Sequence, residues 1–347
     1  MKSLLRNIIS RILEWEAKLI LKKYKPGIIA VTGSVGKTST KDAIFSVVQN
    51  KLVARKSLKS FNSEIGLQLT VLGLNNAWSS FFGWVKNIIK GIFILIIPQH
   101  YPKWLVLEVG ADKPGDIVRV SSWIQPNIVV FTAFSSVPVH VEFFKSVEAL
   151  FEEKSTLVKK LKSNGLLILN ADDERVLSLK SKTKAKCITF GFSEDAMFRA
   201  SNVQIAYKNG VPVGTTFKFE YDGNTFPVLM HGVLGVQPVY SALVALSLGV
   251  YLKLNIIDMI SDLANNDTPP GRMRVIEGIK GTSIIDDTYN SSPLAATAAV
   301  EALRNIKTKG KRVAVFGDML ELGKYTAEEH KKLGALVAEK TNLLLVV

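Results

Sequence analysis

Gly27-Ile28-Ile29-Ala30-Val31-Thr32-Gly33-Ser34-Val35-Gly36-Lys37-Thr38-Ser39-Thr40 runs from an apolar strand into a glycine-bracketed turn that ends in Gly-Lys-Thr. In such a turn, backbone N–H groups and the N-terminus of the following helix surround a polyphosphate, the lysine reaches the β- and γ-phosphates, and the threonine hydroxyl can ligate Mg²⁺. The stretch therefore predicts a nucleoside triphosphate site over Gly33, Ser34, Val35, Gly36, Lys37, Thr38 and Ser39. Its spacing is shorter than the full G-x-x-x-x-G-K-[ST] pattern: Val31 stands where the first glycine would be, and Gly33 lies three residues before Gly36. A chance glycine turn is the alternative. The strand before it and the helix-compatible Lys41-Asp42-Ala43-Ile44-Phe45 after it favour the phosphate site.

With 347 residues the chain has material for two domains and an ample core. One cysteine, Cys187, excludes a disulfide framework and points to a reducing, intracellular setting. The charge is the unusual quantity, with 44 Lys and Arg against 30 Asp and Glu, a formal +14. Such an excess suits anionic membrane or polyanionic substrates such as nucleotides. No basic stripe interleaved with aromatics accompanies it, so nucleic acid is not an expected partner.

Residues 1–25 carry seven basic and two acidic side chains. Helical spacing sets Leu4, Ile8, Ile12, Trp15 and Leu19 on one face, with Asn7, Arg11, Glu14, Lys18 and Lys22 opposite. A basic amphipathic helix of this kind can lie in the headgroup region of an anionic membrane, or it can pack on the protein's own core. The stretch Trp78 to Pro98 offers the same two readings: it is rich in Phe, Ile and Trp but interrupted by Lys86, Asn87 and Lys90. Neither stretch has the uninterrupted apolar length of a membrane span.

Beyond the phosphate turn, apolar strands at Trp104–Leu107, Asn127–Phe131, Leu166–Leu169 and Cys187–Phe190 alternate with helical patterns such as Val147 to Leu161. That alternation predicts a parallel sheet with crossover helices. Between 200 and 230 the texture changes to short alternating strands with tight turns at Asn209-Gly210 and Asp222-Gly223, a small antiparallel layer. A helix from about Val239 to Leu254 leads to Thr268-Pro269-Pro270-Gly271, a plausible linker. A second α/β unit then follows.

Glu108 closes the strand Trp104–Leu107, a place from which a carboxylate can hold Mg²⁺ against a bound triphosphate; a surface acid is the plain alternative. His140, just after the next strand, is more often structural than a ligand on spacing alone. Lys154, in Glu152-Glu153-Lys154-Ser155-Thr156, reads from pattern alone as a solvated helix residue.

Taken in order, several motifs resemble the Mur ligase superfamily, the ATP-dependent amide ligases of peptidoglycan precursor synthesis, in its D-alanyl-D-alanine-adding branch. They are Thr32 to Ser39, Asn62-Ser63-Glu64-Ile65-Gly66, Glu108-Val109-Gly110-Ala111, the His140 region, Asn170-Ala171-Asp172-Asp173, Pro270-Gly271-Arg272, Ile285 to Pro293 and Gly317-Asp318-Met319-Leu320-Glu321-Leu322-Gly323. The resemblance runs from about residue 26 to the chain end. It implies an α/β fold in which a basic N-terminal helix (1–25) precedes a phosphate-loop Mur ligase central domain (26–268, parallel sheet plus the antiparallel layer) and a Rossmann-like α/β C-terminal domain (269–347).

The resemblance further implies ATP and Mg²⁺ as cofactors. Lys37 and the loop amides would hold ATP, Thr38 and Glu108 one Mg²⁺, and His140 a second. Lys154 matches the family's carbamylated lysine, whose CO₂ adduct is an anionic oxygen ligand. Gln237 and Ser241 fall in the adenine-contacting segment, Arg272 and Asp287 would reach phosphate and ribose, and Asn62, Tyr289, Asn290, Asp318 and Met319 would meet substrate. The implied reaction passes the γ-phosphoryl of ATP to the carboxylate of a nucleotide-linked muramyl peptide, and a D-alanyl-D-alanine-like dipeptide then attacks the acyl phosphate.

The sequence departs from the family pattern at Gly235-Val236-Gln237-Pro238-Val239-Tyr240-Ser241, where the family usually carries Gly-Arg-His-Asn and a further Asn. The expectation is also of a ligase without the usual N-terminal UDP-binding domain, incomplete in its last domain, monomeric, and working in the cytoplasm at the inner face of the plasma membrane. Two other readings compete: a Mur-like ligase with a different acceptor, of polyglutamate or cyanophycin type, and a non-catalytic, membrane-tethered nucleotide-binding partner.

Overall fold

A computed structural model describes residues 3–58, 64–266 and 268–347. In chain order, helix α1 (Ser3–Tyr24) leads into strand β1 (Gly27–Thr32) and α2 (Lys37–Val48), then β2 (Ala54–Lys56), α3 (Glu64–Leu72), α4 (Phe81–Ile96) and β3 (Trp104–Glu108). After α5 (Asp116–Val120) come β4 (Ile128–Phe131), α6 (Val147–Lys159), β5 (Leu166–Asn170), α7 (Glu174–Leu177) and β6 (Lys186–Gly191). Three long strands follow, β7 (Phe198–Lys208), β8 (Val211–Tyr221) and β9 (Asn224–His231), and then α8 (Val236–Tyr251) and α9 (Ile256–Ala264). The remainder comprises β10 (Arg274–Glu277), β11 (Ser283–Asp286), α10 (Pro293–Asn305), β12 (Val313–Phe316), α11 (Thr326–Lys340) and β13 (Leu343–Val346).

The main sheet has the order β2-β3-β1-β4-β5-β6-β7-β8-β9. Strands β1 to β6 pair in parallel, and the near-continuous apolar runs of β1, β3, β4 and β5 are those of strands covered on both faces. Along β1, Ile28 and Ala30 face one core with α1, α3 and α6, while Ile29 and Val31 face a second core with α2 and α8. The hairpins β7–β8 and β8–β9 turn at Asn209-Gly210 and Asp222-Gly223, where all four residues have positive φ, as the tight hairpin turn requires. These antiparallel strands are attached directly to the parallel ones: β7 pairs with β6, so the sheet runs on through them.

The two stretches read as candidate membrane helices part company. Ile9, Leu13, Ala17 and Ile20 of α1 are buried, while Ile8 and Trp15, two members of the apolar face read from sequence, are exposed. The buried stripe lies one position away from that face, because α1 packs against α3 and α4. Its packing on the protein's own core therefore prevails over the membrane reading. Helix α4 instead buries only Trp84, Asn87 and Gly91 and turns most of its apolar side chains outward. No described helix is long and apolar enough to cross a membrane.

The α1–α4 contact holds a buried acid. Glu16 is fully buried, its carboxylate has no hydrogen-bond partner, and a Cβ on Gly91 would come within 2.1 Å of its Oε2. Burial pushes the Glu16 carboxyl up to about 7. A raised carboxyl pKa means that the folded state holds a proton the unfolded state has released, so stability falls as pH rises from about 4.5 to about 7. Glu16→Gln removes that dependence. Thermal unfolding should show the variant above the parent at pH 8, by on the order of 2 kcal/mol, with the gap shrinking at pH 5; equal melting curves at both pH values would contradict the assignment.

Candidate active site

The phosphate turn is built by close approach. The chain leaves β1 at Gly33 with φ 140° and enters α2 from Gly36 with φ 83°, values that glycine adopts without a Cβ clash. A Cβ at Gly33 would also lie 2.1 Å from the Thr132 hydroxyl. That hydroxyl donates to the Val35 carbonyl at 2.6 Å, and the Ser34 N–H donates to the Ala133 carbonyl at 2.7 Å. The turn is thus pinned to the residues that follow β4, at the N-terminus of α2, where the helix dipole favours an anion. Val31 explains the short glycine spacing: it is fully buried in the second core, so the turn begins only after Thr32.

A cavity of about 270 Å³ opens beside the turn, lined by Lys37, Thr38, Glu108, Asp112, His140 and Lys154, and by Arg272, Tyr289 and Asn290 from the C-terminal segment. Cations crowd it. The Lys37 ammonium donates to the Ser34 carbonyl at 3.1 Å, and loss of hydration lowers its pKa against the pull of Glu108. Lys154 on α6 is 2% exposed; burial, reinforced by the nearby Lys37 charge, pushes it down to about 7. Arg272 donates to the Thr38 hydroxyl at 3.0 Å and stacks over the Tyr289 ring at 4.2 Å.

Glu108 at the end of β3 is 1% exposed, and its Oε2 has no hydrogen-bond donor. The Lys41 ammonium stands 3.9 Å away, donates to the Ser57 carbonyl at 2.9 Å, and lies 3.5 Å from Asp42. His140 has φ 72° and lies between two acids, with Nδ1 2.5 Å from Glu321 and Nε2 3.5 Å from Asp112. Burial lowers its pKa while those carboxylates oppose the shift. Two residues on, the Glu142 N–H donates to the Glu321 carbonyl at 3.3 Å and ties the loop after β4 to the segment that follows β12.

Among the described residues no three His, Cys, Asp or Glu side chains converge in a metal-holding group. Mg²⁺ does not require one when a triphosphate is bound, since one or two carboxylates, phosphate oxygens and waters suffice. The Oε2 of Glu108, which accepts no hydrogen bond, and Thr38 line the same cavity and fit that donor set.

A larger cavity of about 600 Å³ adjoins at Val35 and Gly36 and is lined by Phe134, Asn170, Asp172, Gln237, Tyr240 and Ser241 among others. Its size suits a nucleoside. The Tyr240 hydroxyl donates to Asp172 at 2.8 Å, and Ser241 accepts from Thr40 at 3.2 Å. Between the two, a small space is lined by Ser39, Gln237, Arg272 and Asp287. Asp287 accepts the Met273 N–H at 3.0 Å and is raised to about 6 by burial.

Asp318 and Met319 are not brought to these cavities. Asp318 is exposed beside His330, and the Met319 side chain is buried in the first core. Asn62 lies outside the described residues. Sequence reading missed Asp112, Glu321 and Lys41. Lys41 alone carried a local signal, one helical turn beyond Lys37.

The family description "Mur ligase middle domain" matches residues 93–249 and "Mur ligase, glutamate ligase domain" matches residues 271–347, together about two thirds of the chain. The chain belongs to the Mur ligase family. Among curated relatives, the UDP-N-acetylmuramoyl-tripeptide–D-alanyl-D-alanine ligase of Bacillus subtilis (strain 168) is 29% identical over 322 residues, covering 93% of this chain and 62% of the relative. The Escherichia coli (strain K12) ligase of the same name is 28% identical over 313 residues, covering 88% and 61%. The crystal structure of MurF ligase from Thermotoga maritima in complex with ADP superposes with a TM-score of 0.78 at 28% identity, covering 97% of this chain and 70% of that one. This Mur ligase chain thus spans about three fifths of the length of those curated relatives.

Removing the Lys37 ammonium takes away a charge-assisted contact of about 1.5–3 kcal/mol. Lys37→Ala should weaken ATP binding, measured by calorimetric titration, at least tenfold while leaving the melting temperature near the parent's. Unchanged affinity would remove Lys37 from the triphosphate site.

Proposed function

We propose that the chain is an ATP-dependent amide ligase that joins D-alanyl-D-alanine, or a similar amine, to the carboxylate of a UDP-linked muramyl peptide. The observation that carries this reading is the convergence of Lys37, Lys154 and Arg272 with Glu108 and Thr38 on one cavity beside a nucleoside-sized one. The names of the curated relatives supply the two substrates. The γ-phosphoryl of ATP passes to the substrate carboxylate and ADP leaves; the amine then attacks the acyl carbon and expels inorganic phosphate. Lys37 and Arg272 neutralise charge on the transferring phosphoryl oxygens, and the C-terminal segment that carries Arg272 completes the site. Mg²⁺, when bound through Thr38 and Glu108, adds to that neutralisation.

Lys154 enters as a carbamate. A buried amine facing two other cations is poorly placed as a third cation, whereas its CO₂ adduct is an anion that offsets them and can share in holding Mg²⁺ with His140 nearby. The reaction belongs in the cytoplasm, where ATP is available, at the inner face of the plasma membrane, a location supported by the formal charge of +14.

Purified protein given ATP, Mg²⁺, UDP-muramyl tripeptide and D-alanyl-D-alanine should release ADP in a manner saturable in both substrates and silent when either is omitted. ADP release indifferent to both substrates would overturn the reading. Lys154→Ala should lose at least a hundredfold in that turnover, and short carboxylic acids such as acetate should restore part of it. A variant that turns over like the parent returns Lys154 to a structural role.

A further inference from the structure

We propose that the outer face of α4 is a docking surface for an anionic lipid bilayer. Successive positions are 100° apart on a helix, so Phe82, Val85, Ile89, Ile92, Phe93 and Ile96 fall on one arc of α4. All six are exposed, Phe82 by 82% and Ile96 by 72%. Lys86 and Lys90, also exposed, border this arc on one side. A contiguous apolar face rimmed by charge is unusual on a free surface and marks a contact.

Hydrogen bonds fix α4 at both ends. Ser80 caps the start of α4 by accepting the Gly83 N–H at 3.1 Å. At the other end, the Lys23 ammonium donates to the Ile94 and Leu95 carbonyls at 3.1 and 2.7 Å, and the Tyr24 hydroxyl donates to the Ile94 carbonyl at 3.1 Å. The inner side of α4 is fixed by Trp84, whose indole N–H donates to the Trp78 carbonyl at 2.9 Å, and by Gly91 against Glu16. The apolar arc is therefore not a loose helix awaiting a fold of its own; its inward side is already packed.

Charge decides the occupant. The lysines at the rim, the exposed Lys22 of the adjoining α1 and the chain's +14 are complementary to anionic headgroups. A second copy of the chain would instead set the same cations against each other. Sixteen residues at 1.5 Å each give about 24 Å, short of a hydrocarbon core of about 30 Å, so α4 lies in the interface plane rather than spanning it. The surface deepens the membrane placement proposed above and is independent of the ligase chemistry.

The test is co-sedimentation of the full chain with vesicles of phosphatidylcholine alone or with 30% phosphatidylglycerol. The parent should pellet with the anionic vesicles, and 0.5 M salt should lower its bound fraction to at most a third. Phe82→Glu with Ile89→Glu and Phe93→Glu, all at exposed positions, should lower the partition coefficient at least tenfold. Lys86→Glu with Lys90→Glu, which leaves the apolar arc intact, should lower it at least threefold; both variants should keep the parent's melting temperature and vesicle-free ADP release. The proposal is overturned if the parent stays in the supernatant with anionic vesicles, if both variants pellet like the parent, or if sedimentation velocity shows a dimer that the triple variant dissolves while vesicle binding is absent. Loss of ADP release with vesicle binding intact would count against the ligase reading alone.

Discussion

Repulsion among Lys37, Lys154 and Arg272 around one partly enclosed cavity is the constraint on which the rest of the site depends. Loss of hydration on burial is what chiefly depresses the pKa values of Lys37 and Lys154, and the neighbouring like charge, Arg272 for Lys37 and Lys37 for Lys154, adds to it. Glu108 supplies one buried countercharge, with one oxygen left open. A polyanion entering such a space would relieve the repulsion, so the arrangement suits an anionic ligand better than it suits the stability of the fold.

The sheet makes this crowding possible. The phosphate turn follows β1, Glu108 ends β3, the His140 loop follows β4, and Asn170 ends β5. Parallel pairing brings these carboxyl ends to one edge, the usual position for a ligand crevice in an open α/β sheet. The C-terminal segment meets the crevice through links such as Arg272 on Thr38 and Glu321 on Glu142 of the His140 loop. Both join residues distant in the chain, so the site is shared between its two parts. Bound ligand should stiffen both together.

Local chemistry was legible from sequence where it is dictated by neighbours along the chain. The Gly33–Lys37 turn, the apolar parallel strands, the Asn-Gly and Asp-Gly hairpins and helix α6 all have short-range causes. Lys154 was not legible, because its role depends on which side of α6 meets the cavity. Helical periodicity says that a face is apolar but not what covers it, which is why α1 and α4 read alike although one is packed and the other bare. The edge strand β2 and the short β10 carry Arg or Lys within three or four residues and leave little pattern to detect. Asp112 and Glu321 gain their importance only from tertiary contact with His140.

The central claim is that a triphosphate is gripped at once by the turn at residues 33–38 and by the C-terminal segment. Amide hydrogen–deuterium exchange of the full chain with Mg²⁺ and ATP, and separately with AMP, tests it directly. ATP should slow exchange both at residues 33–38 and at residues 271–290, with AMP leaving 33–38 unchanged. Exchange at 33–38 that is indifferent to ATP, or slowed equally by AMP, would contradict the account.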